Sequence, residues 1–245
     1  MREEASAESA GFAWFGGHRI AFVRHDAGAD TPIVVMAHGF KSSKVGPSRY
    51  FVPLARMLAS RGVSTFRFDQ AGSGDSSGDF EDSSFLTWSA TIEHFVRAFA
   101  SEGRRVSLLG QSMGGTATMP AAAALGDAIE RVALWSPGPM LAGGEVIVDE
   151  DDWMEEEGQR VRGDFWREAG EVDFLGCYAN VLVPVYAVFG TADWVIRRDE
   201  MERVRGAAKP GDHVEIIEGM PHSAWPYELR ARIIAETAAF LGGEA

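Results

Sequence analysis

The residue with the clearest chemical potential in this chain is a serine set between glycines. Ser112 lies in the sequence Gly-Gln-Ser-Met-Gly-Gly at residues 110–115, directly after the strand-like segment 106–110. A serine on a sharp turn from a buried strand into a helix has a strained backbone, and small flanking residues let neighbouring elements approach its hydroxyl. This setting predicts that Ser112 is a nucleophile.

The same glycine-serine-glycine spacing occurs a second time, around Ser76 in the sequence Gly-Asp-Ser-Ser-Gly at residues 74–78. This copy follows a stretch rich in Gly, Ser and Asp, and an acidic segment follows it where a helix is needed. Such a composition is typical of surface loops. We therefore predict a loop position for Ser76 and assign the nucleophile to Ser112.

A serine hydroxyl needs an adjacent base, and the base usually needs a carboxylate that orients it. Among the six histidines, His222 lies in a loop between the last predicted strand and the last predicted helix. This position also fits the chain order serine, acid, histidine that accompanies such a serine. His222 is therefore the predicted base. The histidines in less suitable settings are His18 and His25 in the N-terminal region, His94 in a helix and His213 at a strand start.

Two aspartates compete for the role of the orienting acid. Asp193 directly follows the predicted strand 184–189, whereas Asp199 lies among charged residues that are typical of an exposed helix start. Sites in parallel α/β sheets collect at the carboxyl ends of the strands. This rule favours Asp193.

Two backbone N–H groups are candidates for stabilising an oxyanion. The N–H of Met113 follows the nucleophile, and the N–H of Phe40 follows the first strong strand, where Gly39 permits a turn. Donors aimed at the developing oxyanion lower the barrier to acyl transfer. The alternative is that His38-Gly39 only terminates a strand.

Short aliphatic segments alternate with longer amphipathic ones along the chain, which predicts an α/β fold with a mostly parallel, doubly wound sheet. With 245 residues of which 46% are hydrophobic, we expect a single domain with a small insertion. The expected strands are 33–38, 64–69, 106–110, 131–136, 184–189 and 213–217, and the expected helices are 50–60, 85–101, 227–241 and one after Ser112.

Residues 137–180 interrupt this alternation, so we expect a core of residues 1–136 and 181–245 with an insertion between them. From Glu145 to Asp173 there are twelve acidic residues against three arginines. Long insertions in compact domains are often lids, which favours a helical cap over a pair of solvated surface helices. The apolar side of this cap would carry Trp153, Phe165, Trp166, Phe174 and Leu175.

Ser112 in its turn, His38-Gly39-Phe40, Asp193 and His222 together resemble the α/β-hydrolase family. The segment from His38 to Gly78 is most similar to bacterial feruloyl and cinnamoyl esterases and to monoacylglycerol lipases. The resemblance covers nearly the whole chain and implies an α/β-hydrolase fold, no bound nucleotide and no cofactor.

The chain departs from the family pattern beside the acid. Val-Pro often follows the acid in the family, but here Asp193 is followed by Trp194 and Val195. Trp194 and Trp225 flank the predicted catalytic residues, and with Trp153 of the insertion they are candidates for lining a substrate pocket. Ordinary core packing is the alternative for these tryptophans.

The leading functional prediction is a cofactor-free serine hydrolase that cleaves small-molecule carboxylic esters through an acyl-enzyme. A thioesterase or acyltransferase of a biosynthetic pathway would use the same three side chains. A ligand-binding protein of the same fold is a third reading, which predicts a broken set of catalytic residues.

Charge and composition argue against several partner classes. The 36 acidic residues outnumber the 23 basic ones, which argues against a nucleic-acid partner and mildly disfavours an anionic substrate. No uninterrupted apolar stretch approaches the roughly 18 residues of a membrane span. The histidines are scattered, so no metal site is expected.

The expected location is cytoplasmic. The acidic residues 1–4 lack the features of a secretory signal, and the single cysteine, Cys177, permits no internal disulfide. We expect Cys177 to be a small buried residue.

Overall fold

The computed structural model describes residues 7–138, 153–156 and 158–243. Its strands in chain order are β1 (Ala7–Phe15), β2 (His18–Asp26), β3 (Ile33–Ala37), β4 (Ser64–Phe68), β5 (Val106–Gln111), β6 (Val132–Trp135), β7 (Trp153–Glu156), β8 (Gln159–Arg162), β9 (Val185–Gly190) and β10 (His213–Ile217). Eight of these strands form one sheet, in the order β1-β2-β4-β3-β5-β6-β9-β10. Within this sheet, the neighbouring strands in the order β4-β3-β5-β6-β9-β10 are all parallel, whereas β2 is antiparallel to both β1 and β4. The prediction of a mostly parallel sheet is confirmed.

Helices cover both faces of this sheet, as expected for a doubly wound fold. They are α1 (Phe51–Ser60), α2 (Phe85–Ser101), α3 (Met113–Leu125), α4 (Gly163–Gly170), α5 (Phe174–Asn180), α6 (Arg198–Gly206) and α7 (Tyr227–Gly242). α1 and α7 contact each other on one face, and α2 and α3 contact each other on the other. Every residue of β3, β4, β5, β6 and β9 is buried, and most are apolar, although β4 also carries the buried polar residues Ser64, Thr65 and Arg67.

The sequence prediction missed the N-terminal hairpin of β1 and β2. From Ala10 to Phe15 the exposed and partly buried residues of β1 alternate, and Phe12 and Trp14 are exposed, so no continuous buried run marks the strand. The strands are joined by Gly16 and Gly17, both at positive φ, with Phe15 paired to His18. A Gly-Gly pair is a known two-residue hairpin signal, and it was the clue available in the sequence.

The described part of the insertion contains the β7–β8 hairpin and then α4 and α5, so it adds strands to the helices that were expected. α4 packs on α2, and α5 packs on α3. Of its predicted apolar side chains, Phe165, Trp166 and Phe174 are buried and Leu175 is partly buried, whereas Trp153 is exposed. Residues 139–152 of the expected cap lie outside the described residues. The cap boundaries stay a prediction.

Within the described ranges, no helix combines the length and the apolar composition that crossing a bilayer requires. Cys177 in α5 is partly buried, and burial raises the pKa of its thiol.

Candidate active site

Ser112 occupies a sharp turn between β5 and α3. Its backbone has φ 51° and ψ −124°, a conformation that residues with a side chain rarely adopt. The turn is held because the Ser112 N–H donates to the carbonyl oxygen of Trp135 at 2.8 Å. Backbone strain of this kind persists only where the surrounding structure fixes it, and it is concentrated at functional sites.

The glycines around Ser112 are required by close packing. A Cβ at Gly110 would meet the Cα of Gly115 and the hydroxyl of Thr118, both at 2.5 Å. A Cβ at Gly114 would collide with the backbone carbonyls at the end of β3. The first turn of α3 therefore lies directly against β3, which brings the loop after β3 to the serine.

The structure brings Ser112, His222 and Asp193 together. The Nε2 atom of His222 lies 2.9 Å from Ser112 Oγ, and its Nδ1 atom lies 2.7 Å from Asp193 Oδ2. The Asp193 side chain is fully buried, and the His222 side chain is 12% exposed. Both distances are within hydrogen-bonding range, so the imidazole can accept the serine proton while the carboxylate holds its other nitrogen.

Backbone contacts position the two loops that carry the acid and the base. Asp193 follows β9, and its Oδ1 accepts the N–H groups of Val195 and Ile196 at 2.7 and 3.0 Å. The loop after β10 joins this segment because the Met220 carbonyl accepts the Ala192 N–H at 3.1 Å. These bonds fix the carboxylate before any substrate binds.

Asp199, the competing acid, lies away from this arrangement. It is in the first turn of α6, where its side chain is exposed and pairs with Arg197 at 2.6 Å. The hydrogen bond from Arg197 lowers the pKa of Asp199. Its contacts are those of a helix start.

The loop after β3, which carries Phe40, runs beside Ser112, and Met113 follows the serine at the start of α3. A Cβ built on Gly39 would lie 3.0 Å from Ser112 Cβ, so the backbone of this loop directly adjoins the serine. Of the described residues, none accepts a hydrogen bond from the backbone N–H of Phe40 or of Met113. The role of these two N–H groups as oxyanion donors stays a prediction.

Lys44 holds the far end of the same loop through ion pairs with a buried and an exposed aspartate. Lys44 Nζ lies 2.6 Å from Asp69 Oδ2 and 2.6 Å from Asp75 Oδ2, and the Lys44 N–H donates to Asp69 Oδ1 at 2.5 Å. Burial acts to lower the pKa of Lys44, but its bonds to the two carboxylates outweigh burial and raise it. The sequence analysis did not predict this role of Lys44.

Ser76 has a structural role in the loop predicted for it. Its hydroxyl donates to the carbonyl oxygen of Asp69 at 2.8 Å and accepts the N–H of Ala21 at 2.9 Å. Both partners belong to the backbone, so Ser76 ties the loop after β4 to β2.

The three tryptophans proposed for a pocket occupy different environments. Trp225 is buried in the core, stacks on Tyr50 and donates from its indole N–H to the Pro221 carbonyl at 3.1 Å. This packing supports the loop that carries His222. Trp194 is 83% exposed, and Trp153 is exposed beneath the guanidinium groups of two arginines of β8. A pocket role for these residues stays a prediction.

Phe40 lies in a cluster of aromatic side chains that the sequence analysis did not predict. Its ring lies 5.0 Å from that of Phe80, 5.4 Å from that of Phe165 and 4.9 Å from that of Trp166, measured between centroids. Phe80 also lines an open cleft of about 510 Å³ between residues 79–81 and the β7–β8 hairpin. An apolar wall and a polar cleft therefore adjoin the loop next to Ser112.

Among the residues that the structure describes, no group of three or more His, Cys, Asp or Glu side chains is arranged to hold a metal ion.

Comparisons with known proteins place this arrangement in a fold family. The chain is similar to the structure of Est1E from Butyrivibrio proteoclasticus with bound ferulic acid, at 21% identity and a TM-score of 0.83, over 95% of this chain and 98% of that one. The chain has an α/β-hydrolase fold. The resemblance inferred from the sequence is confirmed, since the model of a hydrolase family described as serine aminopeptidase, S33, also matches residues 29–146.

Other α/β-hydrolase structures are similar along most of their length. A monoacylglycerol lipase from Paleococcus ferrophilus has 18% identity and a TM-score of 0.75, over 92% of this chain and 99% of that one. A thioesterase domain from the curacin biosynthetic pathway has 16% identity and a TM-score of 0.68, over 96% and 99%. No curated protein sequence matches the chain. At these identities the similarity establishes the fold alone.

Proposed function

We propose that this α/β-hydrolase is a serine hydrolase that cleaves carboxylic esters through an acyl-enzyme. The observation that supports the proposal most strongly is the continuous hydrogen-bonded chain from Ser112 Oγ through His222 to Asp193. Ser112 Oγ attacks the ester carbonyl, and His222 Nε2 accepts the hydroxyl proton. Asp193 orients the imidazole and stabilises the imidazolium that forms.

The tetrahedral intermediate places its negative oxygen between the N–H groups of Phe40 and Met113. His222 then donates its proton to the leaving alcohol as the C–O bond breaks, which leaves the acyl group on Ser112. A water molecule, deprotonated by His222, attacks this acyl group. The acid leaves, and the proton returns to Ser112. Neither step needs a cofactor.

The aromatic group around Phe40 supports an ester with an apolar or aromatic acyl portion. Phe40 and Phe80 come from the core, and Phe165 and Trp166 come from α4 of the insertion. We propose that residues 137–180 act as the cap over this aromatic group. Est1E, whose fold is similar, binds ferulic acid, which is an aromatic acid.

Thioester hydrolysis and acyl transfer use the same residues, and one similar structure is a thioesterase domain. Rates measured side by side on p-nitrophenyl esters, acyl thioesters, aminoacyl p-nitroanilides and esters with added alcohol acceptors distinguish these reactions. We expect the oxygen esters to be the best substrates. A higher kcat/KM for thioesters or anilides would reassign the reaction class.

The decisive test compares Ser112→Ala with Ser76→Ala in hydrolysis of p-nitrophenyl acetate. We expect Ser112→Ala to lower kcat by more than about 10³-fold, because no other hydroxyl contacts His222 in the described structure. Ser76→Ala is the matched control, since it removes a hydroxyl from the same spacing between glycines. Full activity of Ser112→Ala, or loss in the control alone, would refute the proposal. A fluorophosphonate should label the wild type and not Ser112→Ala.

A further inference from the structure

The peptide group between Gly39 and Phe40 is held by the side chain of His38. His38 Nδ1 lies 2.8 Å from the Gly39 carbonyl oxygen. In a trans peptide the carbonyl and the following N–H lie in one plane and point in opposite directions. A bond that fixes the Gly39 carbonyl therefore also fixes the direction of the Phe40 N–H.

The surroundings of His38 determine which of its nitrogens carries the proton. The backbone N–H of Gln70 donates to His38 Nε2 at 3.0 Å, so Nε2 is the unprotonated acceptor. In a neutral imidazole the proton is then on Nδ1, where it can be donated to the Gly39 carbonyl. Burial lowers the pKa of His38, which favours this neutral form.

The preceding peptide is held from the opposite side. The Gly39 N–H donates to Gln111 Oε1 at 3.1 Å, and a Cβ on Gly39 would meet that oxygen at 2.6 Å and Ser112 Cβ at 3.0 Å. His38 is itself completely buried, with its ring edge-on to Trp88 at 5.5 Å. The imidazole thus links the ends of β3 and β4, and Gln111 links the same loop to the serine strand.

We propose that His38 is a positioning residue that aims the Phe40 N–H at the oxyanion by clamping the Gly39–Phe40 peptide plane. The inference rests on the proposed serine hydrolase function. His38 contacts no reacting atom in this scheme, so its effect should be largest on the transition state and small on substrate binding.

The test compares His38→Gln with His38→Asn. The asparagine amide can place an N–H near the position of Nδ1, which retains the donor to Gly39. The longer glutamine side chain reaches the position of Nε2 and can still accept from Gln70, but it loses that donor. The variants therefore separate the clamp from the anchoring bond to Gln70 in a side chain of similar polarity.

The readouts are kcat and KM for p-nitrophenyl acetate, normalised to the active sites titrated with a fluorophosphonate, and the inhibition constant of phenylboronic acid. We expect His38→Gln to lower kcat by about tenfold or more with KM within about twofold, because loss of one whole oxyanion donor costs about 10²–10³ in kcat. His38→Asn should retain more activity. The inhibition constant should rise in proportion to the loss in kcat/KM, since the boronate adduct is tetrahedral.

Several outcomes would overturn the proposal, and they are distinguishable. Absence of Ser112-dependent hydrolysis and of fluorophosphonate labelling in the wild type would overturn the proposed function and this inference together. Wild-type hydrolysis with unchanged kcat in His38→Gln, or equal losses in both variants without weaker boronate binding, would overturn the positioning role alone. If melting shows that His38→Gln is unfolded, His38→Met replaces it; this variant loses the donor and the bond to Gln70 together, so the boronate inhibition constant then decides between positioning and a structural role.

Discussion

Asp193 has two carboxylate oxygens with separate partners. Oδ1 accepts two backbone N–H groups of its own loop, and Oδ2 faces His222. An asparagine has the same shape and can keep its oxygen toward the loop, but it then presents an NH₂ group to His222. The loop geometry would survive, and the imidazole would be held in the wrong tautomer.

We therefore expect Asp193→Asn to lower kcat for p-nitrophenyl acetate by about 10⁴-fold with little loss of thermal stability. Asp199→Asn is the matched control, because that carboxylate is exposed at the start of α6 and should leave kcat unchanged. Steady-state kinetics and melting curves of both variants provide the measurement. A larger effect at Asp199 than at Asp193 would contradict the assignment.

The meeting of Ser112, Asp193 and His222 could be predicted because each residue follows a strand whose carboxyl end lies at one edge of the sheet. The roles of His38, Gln111 and Lys44 could not be predicted in the same way. Each role depends on how the loop after β3 folds back on β4 and β5, and no local pattern encodes those contacts. The only local signal for any of these roles was that His38 directly precedes Gly39.

At the scale of elements, the site depends on how closely α3 approaches β3. Gly114 lies in the first turn of α3, and a Cβ there would collide with the carbonyl oxygens of Ala37 and His38. These atoms belong to backbone, so neither can turn aside as a flexible side chain would. Relief would require α3 or the loop after β3 to shift.

We expect Gly114→Ala to lower the free energy of unfolding by about 1–3 kcal/mol and to reduce kcat, because the displaced loop carries the Phe40 N–H. Gly206→Ala at the end of α6 is the control, since a Cβ there has no heavy atom within 4 Å. Urea unfolding and ester hydrolysis should show a loss only for the first variant. Equal behaviour of the two glycine variants would show that the packing is looser than described.

Elements were predictable where one physical signal dominated. The bounds of α2 agree with the prediction, and the central strands agree within two residues, because most of these buried strands are short apolar runs; β4, with its alternating phenylalanines, is the exception. The hairpins β1–β2 and β7–β8 were not predicted, since much of their surface is exposed and their residues alternate in environment or are largely polar. In β7–β8 the guanidinium groups of Arg160 and Arg162 lie over the Trp153 ring, a contact that no apolar periodicity indicates.

For the whole molecule, two buried histidines make stability depend on pH. Burial lowers the pKa of His38 and of His25 below the usual 6.5. At His25 the nearby carboxylate of Glu8 opposes this change, but burial together with Arg67 and Arg56 outweighs it. Both side chains are almost completely inaccessible in the folded protein. Unfolding exposes them to water, where they titrate near 6.5.

Below about pH 6.5 the unfolded chain therefore binds more protons than the folded one, and the free energy of unfolding falls as the pH decreases. The stabilisation is complete above that pH and is lost progressively below it. We expect a lower urea midpoint at pH 5.5 than at pH 7.5, and a smaller difference in His25→Gln and in His38→Asn. His94→Gln is the control, because it removes an exposed imidazole from α2. A pH dependence that is identical in all three variants and the wild type would assign the acid sensitivity to other groups.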